Sequence, residues 1–336
     1  MRYRFLVPFL LLTSVLAAEQ VLSVGTTVLT QADLAALEGP TLVFLPLEVP
    51  LTVRVNGALA SQRGNLDQPY TGRLHWATAL SLQPWASPAL GDLRVEIQLQ
   101  PAEGEPSVLG PVRLLSRTEA LDWVFWRNFW GPQAITALSW ASLVVGLSSF
   151  LLFLVGHRLP RRDRVLYLVY FLTNLTFAVS YINNVFSWDL APTLELDKLS
   201  RAGMYWWLYF ATAANVLYLQ PPARPGRVLV PAAAVIAVVT VLLALAPSVP
   251  AVSTLQRLVG IPLLSVLLLY LLVRSVLLLV RHRDWQAGLL VVVYLLGAWA
   301  MVADSVPYFV LKYKPTVMLA PFTAFLSDLA FLWLLA

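Results

Sequence analysis

The sequence predicts a seven-helix membrane bundle preceded by a small all-β sandwich. Three observations predict it: the 336 residues are 59% hydrophobic and only 12% charged, seven stretches stay apolar over a membrane-spanning length, and the leading hundred residues instead alternate polar with apolar side chains. Soluble domains carry about 25% charged residues, so most of this chain reads as lipid-embedded.

Residues 1–18 have the three parts of a secretory signal peptide: Arg2 and Arg4, an apolar run from 5 to 16, then the small residues Ala17 and Ala18. An uncleaved signal anchor is the alternative, and either one carries the following residues out of the cytoplasm.

From 19 to 120 the period changes to two, the signature of half-buried strands. Leu93, Val95, Ile97 and Leu99 interleave with Arg94, Glu96, Gln98 and Gln100. Leu51, Val53 and Val55 alternate with Thr52, Arg54 and Asn56, and Asn56-Gly57 supplies the positive φ angles of a tight hairpin. Further strands are expected at 41–47, 72–82 and 107–115. About a hundred residues with half a dozen strands bury one extracytoplasmic sandwich core and little more.

In 121–132, Trp123, Trp126 and Trp130 recur at helical spacing beside Phe125 and Phe129, before Gly131-Pro132. Amphipathic rings favour the headgroup layer, so the segment reads as a short interfacial helix; an aromatic carbohydrate platform is the other reading. The spans follow at 134–156, 165–187, 202–219, 228–246, 258–280, 287–306 and 316–336, since about 20 apolar residues cross the hydrocarbon. With the amino terminus outside, Arg158, Arg161, Arg162, Arg164, Arg224, Arg227, Arg281 and Arg283 fall on inner loops, in accord with the positive-inside rule. The chain stops at Ala336 without a basic flank after the last span. The expectation is therefore the receptor portion of a longer polypeptide.

Composition narrows the function classes. The net charge of +5 sits in short loops as topology signals, which discounts nucleic-acid binding. Without cysteine there are no disulfides or thiolate ligands, and His75, His157 and His282 fall in separate segments with no carboxylate at ligand spacing, so neither metal nor cofactor is expected. No catalytic constellation is visible, and 1–336 does not read as an enzyme. A retinal protein would need a lysine within the seventh span, and 316–336 has none.

Ionisable groups inside a membrane are the default functional candidates. Arg274 lies about 24 Å down the fifth span and Asp328 about 18 Å down the seventh, at 1.5 Å per residue, depths that allow a salt bridge able to bias two packings; the plainer alternative is a snorkelling arginine and a hydrogen-bonded acid. Asp304, near the outer end of the sixth span, completes the intramembrane set. Asn174, Asn183, Asn184 and Asn215 read as interhelical hydrogen-bond glue, and Tyr205, Trp206, Trp207 and Tyr209 as an aromatic belt. In the outer domain Asp67, Tyr70, Arg73, His75 and Trp85 are the ligand-binding candidates, because sugar sites combine an aromatic plate with hydrogen-bonding groups; Trp76 shares a face with Leu74 and Leu80 and reads as core.

LTVRVNGALASQRGNL and LHWATALSLQPWASPALGDLRVEIQL are similar to galactose-binding-like jelly rolls, though the domain looks shorter than eight strands. RLPRRDRVLYLVYF and VRHRDWQAGLLVVVYLLGAWAMVADSVPYF resemble the first inner loop and the sixth helix of bacterial seven-transmembrane receptors with diverse intracellular signalling modules. That resemblance implies a bacterial inner-membrane, multi-pass sensor with a jelly-roll-like, carbohydrate-binding-like outer domain and a cytoplasmic carboxy terminus. It further implies a small-molecule or carbohydrate ligand, a homodimer, and a cytoplasmic signalling module in cis or trans, such as a histidine kinase or diguanylate cyclase. The alternatives are a transporter or channel component, or a membrane anchor displaying a scaffolding β domain.

Overall fold

The computed structural model describes residues 21–22, 25–44, 51–63, 77–87, 89, 91–99, 112–182, 193–218, 225–283, 285–309 and 319–335. The signal-peptide reading of 1–18 lies outside the described residues, as do Asn183 and Asn184.

Eight short strands come first: β1 (Val21–Leu22), β2 (Gly25–Leu29), β3 (Thr41–Phe44), β4 (Leu51–Val55), β5 (Ala58–Arg63), β6 (Thr78–Ser81), β7 (Leu93–Leu99) and β8 (Val112–Leu115), with one helical turn, α1 (Gln31–Ala35), after β2. They form two four-stranded antiparallel sheets, ordered β1-β8-β3-β6 and β2-β7-β4-β5. The chain crosses repeatedly between sheets, a jelly-roll-like winding. The expectation of fewer than eight strands is thereby corrected. What was missed is β1, only two residues long, and β2, whose Gly25-Thr26-Thr27 start carries no apolar alternation.

Alternation builds the sandwich core. Leu51, Val53 and Val55 of β4 and Leu93, Val95 and Ile97 of β7 all turn inward, where they meet Leu29, Leu42, Phe44, Val112 and Leu114. Each such side chain contributes about 1.5–3 kcal/mol on burial. The β4–β5 hairpin turns at Asn56 (φ 50°) and Gly57 (φ 81°), as the sequence predicts. Asn56 also locks the turn to β7, donating its N–H to Arg94 O and accepting from Arg94 N, both at 2.8 Å.

β3 breaks the alternation, for all four of its residues are buried. Leu42 and Phe44 face the sandwich core, while the opposite face of the sheet is covered by α2 (Arg117–Asn128), which packs on β3 and β6 through the fully buried Ala120. Ser116 caps α2 in a reciprocal box with Glu119.

Gly131-Pro132 breaks this helix, as expected, but with no loop between its two sides. The chain passes through a π turn (Phe129–Gln133), with Gly131 at φ −87°, ψ −108°, straight into α3 (Ala134–Val155). Proline lacks the N–H that an α turn would use, and a widened, kinked turn absorbs the loss. The expected short helix is present as α2, joined through this sharp kink to α3 as one bent rod.

Then come α4 (Arg161–Ser180), α5 (Thr193–Tyr218), α6 (Gly226–Leu245), α7 (Val249–Leu255), α8 (Ile261–His282), α9 (Trp285–Phe309) and α10 (Ala320–Leu335). Helices thus stand at all seven apolar stretches. Among the described residues, however, four are long and apolar enough to cross a membrane, namely 117–155, 226–245, 251–281 and 285–304. This corrects the expectation of seven such spans. α4 opens on Arg161, Arg162, Asp163 and Arg164, α5 on Glu195, Asp197, Lys198 and Arg201, and the described α10 has 16 residues. Four helices of this kind mark a membrane protein.

Packing orders the helices. α3 lies on α4, α4 on α5, α5 on α6 and α8, α8 on α9, α9 on α10, and α10 returns to α3. Small residues bring the first pair together: Ser139, Ser142, Gly146 and Ser149 form the buried stripe of α3, and a Cβ on Gly146 would stand 2.9 Å from Asn174 Cβ. At one end of the next pair, Arg162 of α4 donates to Leu217 O at 3.0 Å and Tyr218 O at 2.7 Å, satisfying the open carbonyls that finish α5.

Candidate functional site

The middle of the helix ring is polar. Ser142 of α3 donates to Asn174 Oδ1 at 2.7 Å, and Asn174 Nδ2 donates to the carbonyl of Tyr170 one turn back on α4 at 2.9 Å. The Tyr170 hydroxyl reaches across to donate to the main-chain carbonyl of Asp328 on α10. Across the ring, Asn215 of α5 donates to Tyr294 Oη of α9 at 3.1 Å and to Ser275 Oγ of α8 at 3.5 Å. Six helices thus contribute to two buried hydrogen-bonded clusters.

Asp328 lies between them. Its side chain is 2% exposed. The Trp207 indole of α5 lies beside the carboxyl, and the hydroxyls of Tyr170 and Tyr294 are within its electrostatic reach. By strict geometry Asp328 Oδ2, Trp207 Nε1 and Asn215 Oδ1 are buried without a hydrogen bond to any described residue, although the Trp207 indole is close enough to interact with the Asp328 carboxyl. Each unmet polar atom costs about 1–3 kcal/mol.

Arg274 is not the partner of this acid. It is half-buried on α8, and α8 and α10 are separated by α9, which packs on both. Equal depth in two helices allows a salt bridge only if the helices are neighbours. Arg274 instead engages other groups.

Asp304 serves the start of α10. Its carboxylate oxygens accept from Leu319 N at 2.9 Å and Ala320 N at 2.7 Å, so the acid of α9 caps the helix that carries Asp328. Asp304 and Asp328 therefore belong to one element, at its first turn and two turns further on.

The aromatic-belt reading of α5 is corrected at two positions. Tyr205 is fully buried and its hydroxyl donates to Gln256 Oε1, under Gly260, while Trp207 belongs to the polar centre. Trp206 is half-buried and donates to Thr240 of α6 at 3.1 Å. Tyr170 and Tyr294 escaped the sequence reading. The available signal was the four-residue step from Tyr170 to Asn174, which puts phenol and amide on one helix face.

Of the outer-domain candidates, Asp67, Tyr70, Arg73 and His75 lie outside the described residues, as does Trp76. Trp85 is half-buried against the sandwich core, its backbone N–H donating to Leu82 O at 2.9 Å. No cluster of three or more potential metal ligands occurs among the described residues.

Comparisons with protein-family models, curated proteins and solved structures find no match to this chain. Any functional reading therefore rests on its own geometry.

The β sandwich and the helices are mechanically joined. Asn128, in the last turn of α2, accepts from Ala77 N at 2.7 Å and donates to Ala77 O at 2.9 Å, at the start of β6. Beyond it, the rings of Phe129 and Trp130 pack edge to face at 5.1 Å, and Trp130 lies 6.3 Å from Phe322 in the first turn of α10. A continuous path of contacts leads from β6 to the helix of Asp328.

Proposed function

We propose that the chain is a sensory, signal-transducing membrane receptor. The observation that carries this reading is the Asn128–Ala77 clamp, which fixes the sandwich to a helix that bends directly into the bundle. A displayed scaffold or a pore subunit has no need of a rigid joint at that point; a sensor does. The outer sandwich binds a small ligand, the bent rod transmits the change, and the polar centre around Asp328 settles into one of two packings. A ligand moves that equilibrium only through its different affinity for the two states.

In this reading the four long apolar helices cross the inner membrane of a bacterium, with the sandwich outside. The polar starts of α4 and α5 sit at the interface, and the exposed Leu121, Phe125 and Trp126 of α2 rest in the headgroup layer. The seven-transmembrane receptor resemblance, the jelly-roll-like winding and the arginine-rich loops support it. The output is a cytoplasmic module in cis or trans.

Two measurements test the proposal. Reporter fusions after Arg224 and after Ser248, on either side of α6, are expected in opposite compartments; both in one compartment overturn the topology. In nanodiscs, a ligand that protects sandwich amides from hydrogen exchange is expected to change exchange in 117–133 as well, and an unchanged rod under a saturating ligand overturns the relay.

A further inference from the structure

A groove of about 520 Å³ lies where the sandwich meets α2, lined by Thr41 of β3, Ala79 and Ser81 of β6, Gln83 and Pro84 beyond it, and Arg117 and Leu121 of α2. Its volume is within the usual range for small-ligand sites. None of the described residues that line it is acidic. One wall is the sheet and the other is the rod, so any occupant touches both parts that the receptor reading couples.

Arg117 is the group that gives the groove its chemistry. The backbone of this residue is fixed at the head of α2 by the Ser116–Glu119 capping box and by its own N–H, which donates to Glu38 O at 3.0 Å. Its stem packs on Gly39, where an added Cβ would lie 3.1 Å from Arg117 Cβ and where φ is +65°. The guanidinium itself closes no hydrogen bond or ion pair with any described residue. A planar five-donor cation, held at its root and open at its tip, matches a carboxylate in bidentate geometry. Around it, the Ser81 hydroxyl and the Gln83 amide can each donate and accept, as sugar hydroxyls require. Ala79, Pro84 and Leu121 supply a small apolar surface, but no aromatic plate for stacking a neutral hexose.

We propose that this groove binds a small polyhydroxylated carboxylate, a sugar acid, with Arg117 taking the carboxylate and Ser81 and Gln83 the hydroxyls. The inference rests on the receptor reading and names the ligand class and the place of binding. It moves the site from the sequence-predicted 67–85 region to the seam between β6 and α2.

The test is hydrogen exchange on the full chain in nanodiscs with galacturonate, gluconate or N-acetylneuraminate, and with galactose and sulfate as the neutral and bare-anion comparisons. At least one sugar acid is expected to protect both 78–83 and 117–121, with galactose and sulfate much weaker. Arg117→Gln, at an exposed position, is expected to keep the melting temperature and to weaken binding about tenfold to a hundredfold, the loss of a charge-assisted pair. Ser81→Ala is expected to weaken it several-fold. No protection by any of the three acids, equal protection by sulfate or galactose, or undiminished binding by Arg117→Gln would each overturn the assignment. The two readings fail separately: protection at the groove with no change in 121–133 removes the relay and keeps the site, whereas a ligand that alters the rod from elsewhere removes the site and keeps the relay.

Discussion

Asn128 and Ala77 form a two-way amide pair, side chain against backbone, with both bonds under 3 Å and Ala77 1% exposed. The pair fixes the direction in which α2 leaves the sandwich. Asn128→Ala leaves a buried N–H and C=O without partners, for a loss of about 1–3 kcal/mol. Faster exchange is expected at 77–81 and in the last turns of α2, with the hairpin at 51–63 unaffected. Asn128→Asp retains the acceptor for Ala77 N but sets an oxygen against Ala77 O, so it should recover no more than half the effect. Wild-type exchange rates in Asn128→Ala would show that the clamp is not a joint.

Two helical glycines make opposite predictions. Gly146 lies on the small-residue stripe, where even a methyl group must displace Asn174 and with it the Ser142 hydrogen bond. Gly146→Val is expected to lower the detergent melting temperature, with about 1–3 kcal/mol lost to overpacking. Gly297 of α9 has nothing within 4 Å of an added Cβ. Gly297→Ala should be neutral or stabilising by up to ~1 kcal/mol from helix propensity. Equal responses at both sites would mean that α3 and α4 do not approach as closely as described.

The sequence makes individual elements legible because one period governs each. Leu93 to Leu99 alternates so regularly that strand, inward face and core membership follow together, and Asn56-Gly57 fixes its hairpin by backbone sterics alone. β3 is harder, since Thr41 to Phe44 are buried on both faces and show no alternation. The site is harder still. Asp328 and Arg274 are both visible as charges in apolar helices, but which helices touch is a property of tertiary order, and α9 standing between α8 and α10 decides the question. Trp207 looks like its neighbour Trp206 in sequence; one helical step of 100° turns one toward Asp328 and the other toward Thr240.

Asp304 holds the first turn of α10 from α9, and this makes a graded prediction. Asp304→Asn keeps one acceptor oxygen for Leu319 N or Ala320 N, whereas Asp304→Ala keeps none. Losses of under about 1 kcal/mol and of about 1–2 kcal/mol are expected respectively, the usual range for an N-cap. Exchange at 319–323 reads the effect directly. If Asp304→Ala leaves those amides as protected as before, α10 is held at its start by something other than this carboxylate.

The last prediction concerns the centre of the bundle. Asp328 presents a buried oxygen with no hydrogen bond, beside an indole N–H in the same condition. An acid in that position is costly to bury. Asp328→Asn keeps the shape, removes the ionisable group and adds a donor, and it should melt no lower than wild type. Asp328→Ala opens a cavity among Tyr170, Trp207 and Tyr294 and should melt lower, by about 1–3 kcal/mol. Stability and response are then expected to separate: Asp328→Asn folds well but no longer changes exchange in α10 when the sandwich is liganded. A destabilised Asp328→Asn would instead show that the carboxyl stabilises the described packing outright, and the polar centre would be a structural plug rather than a switch.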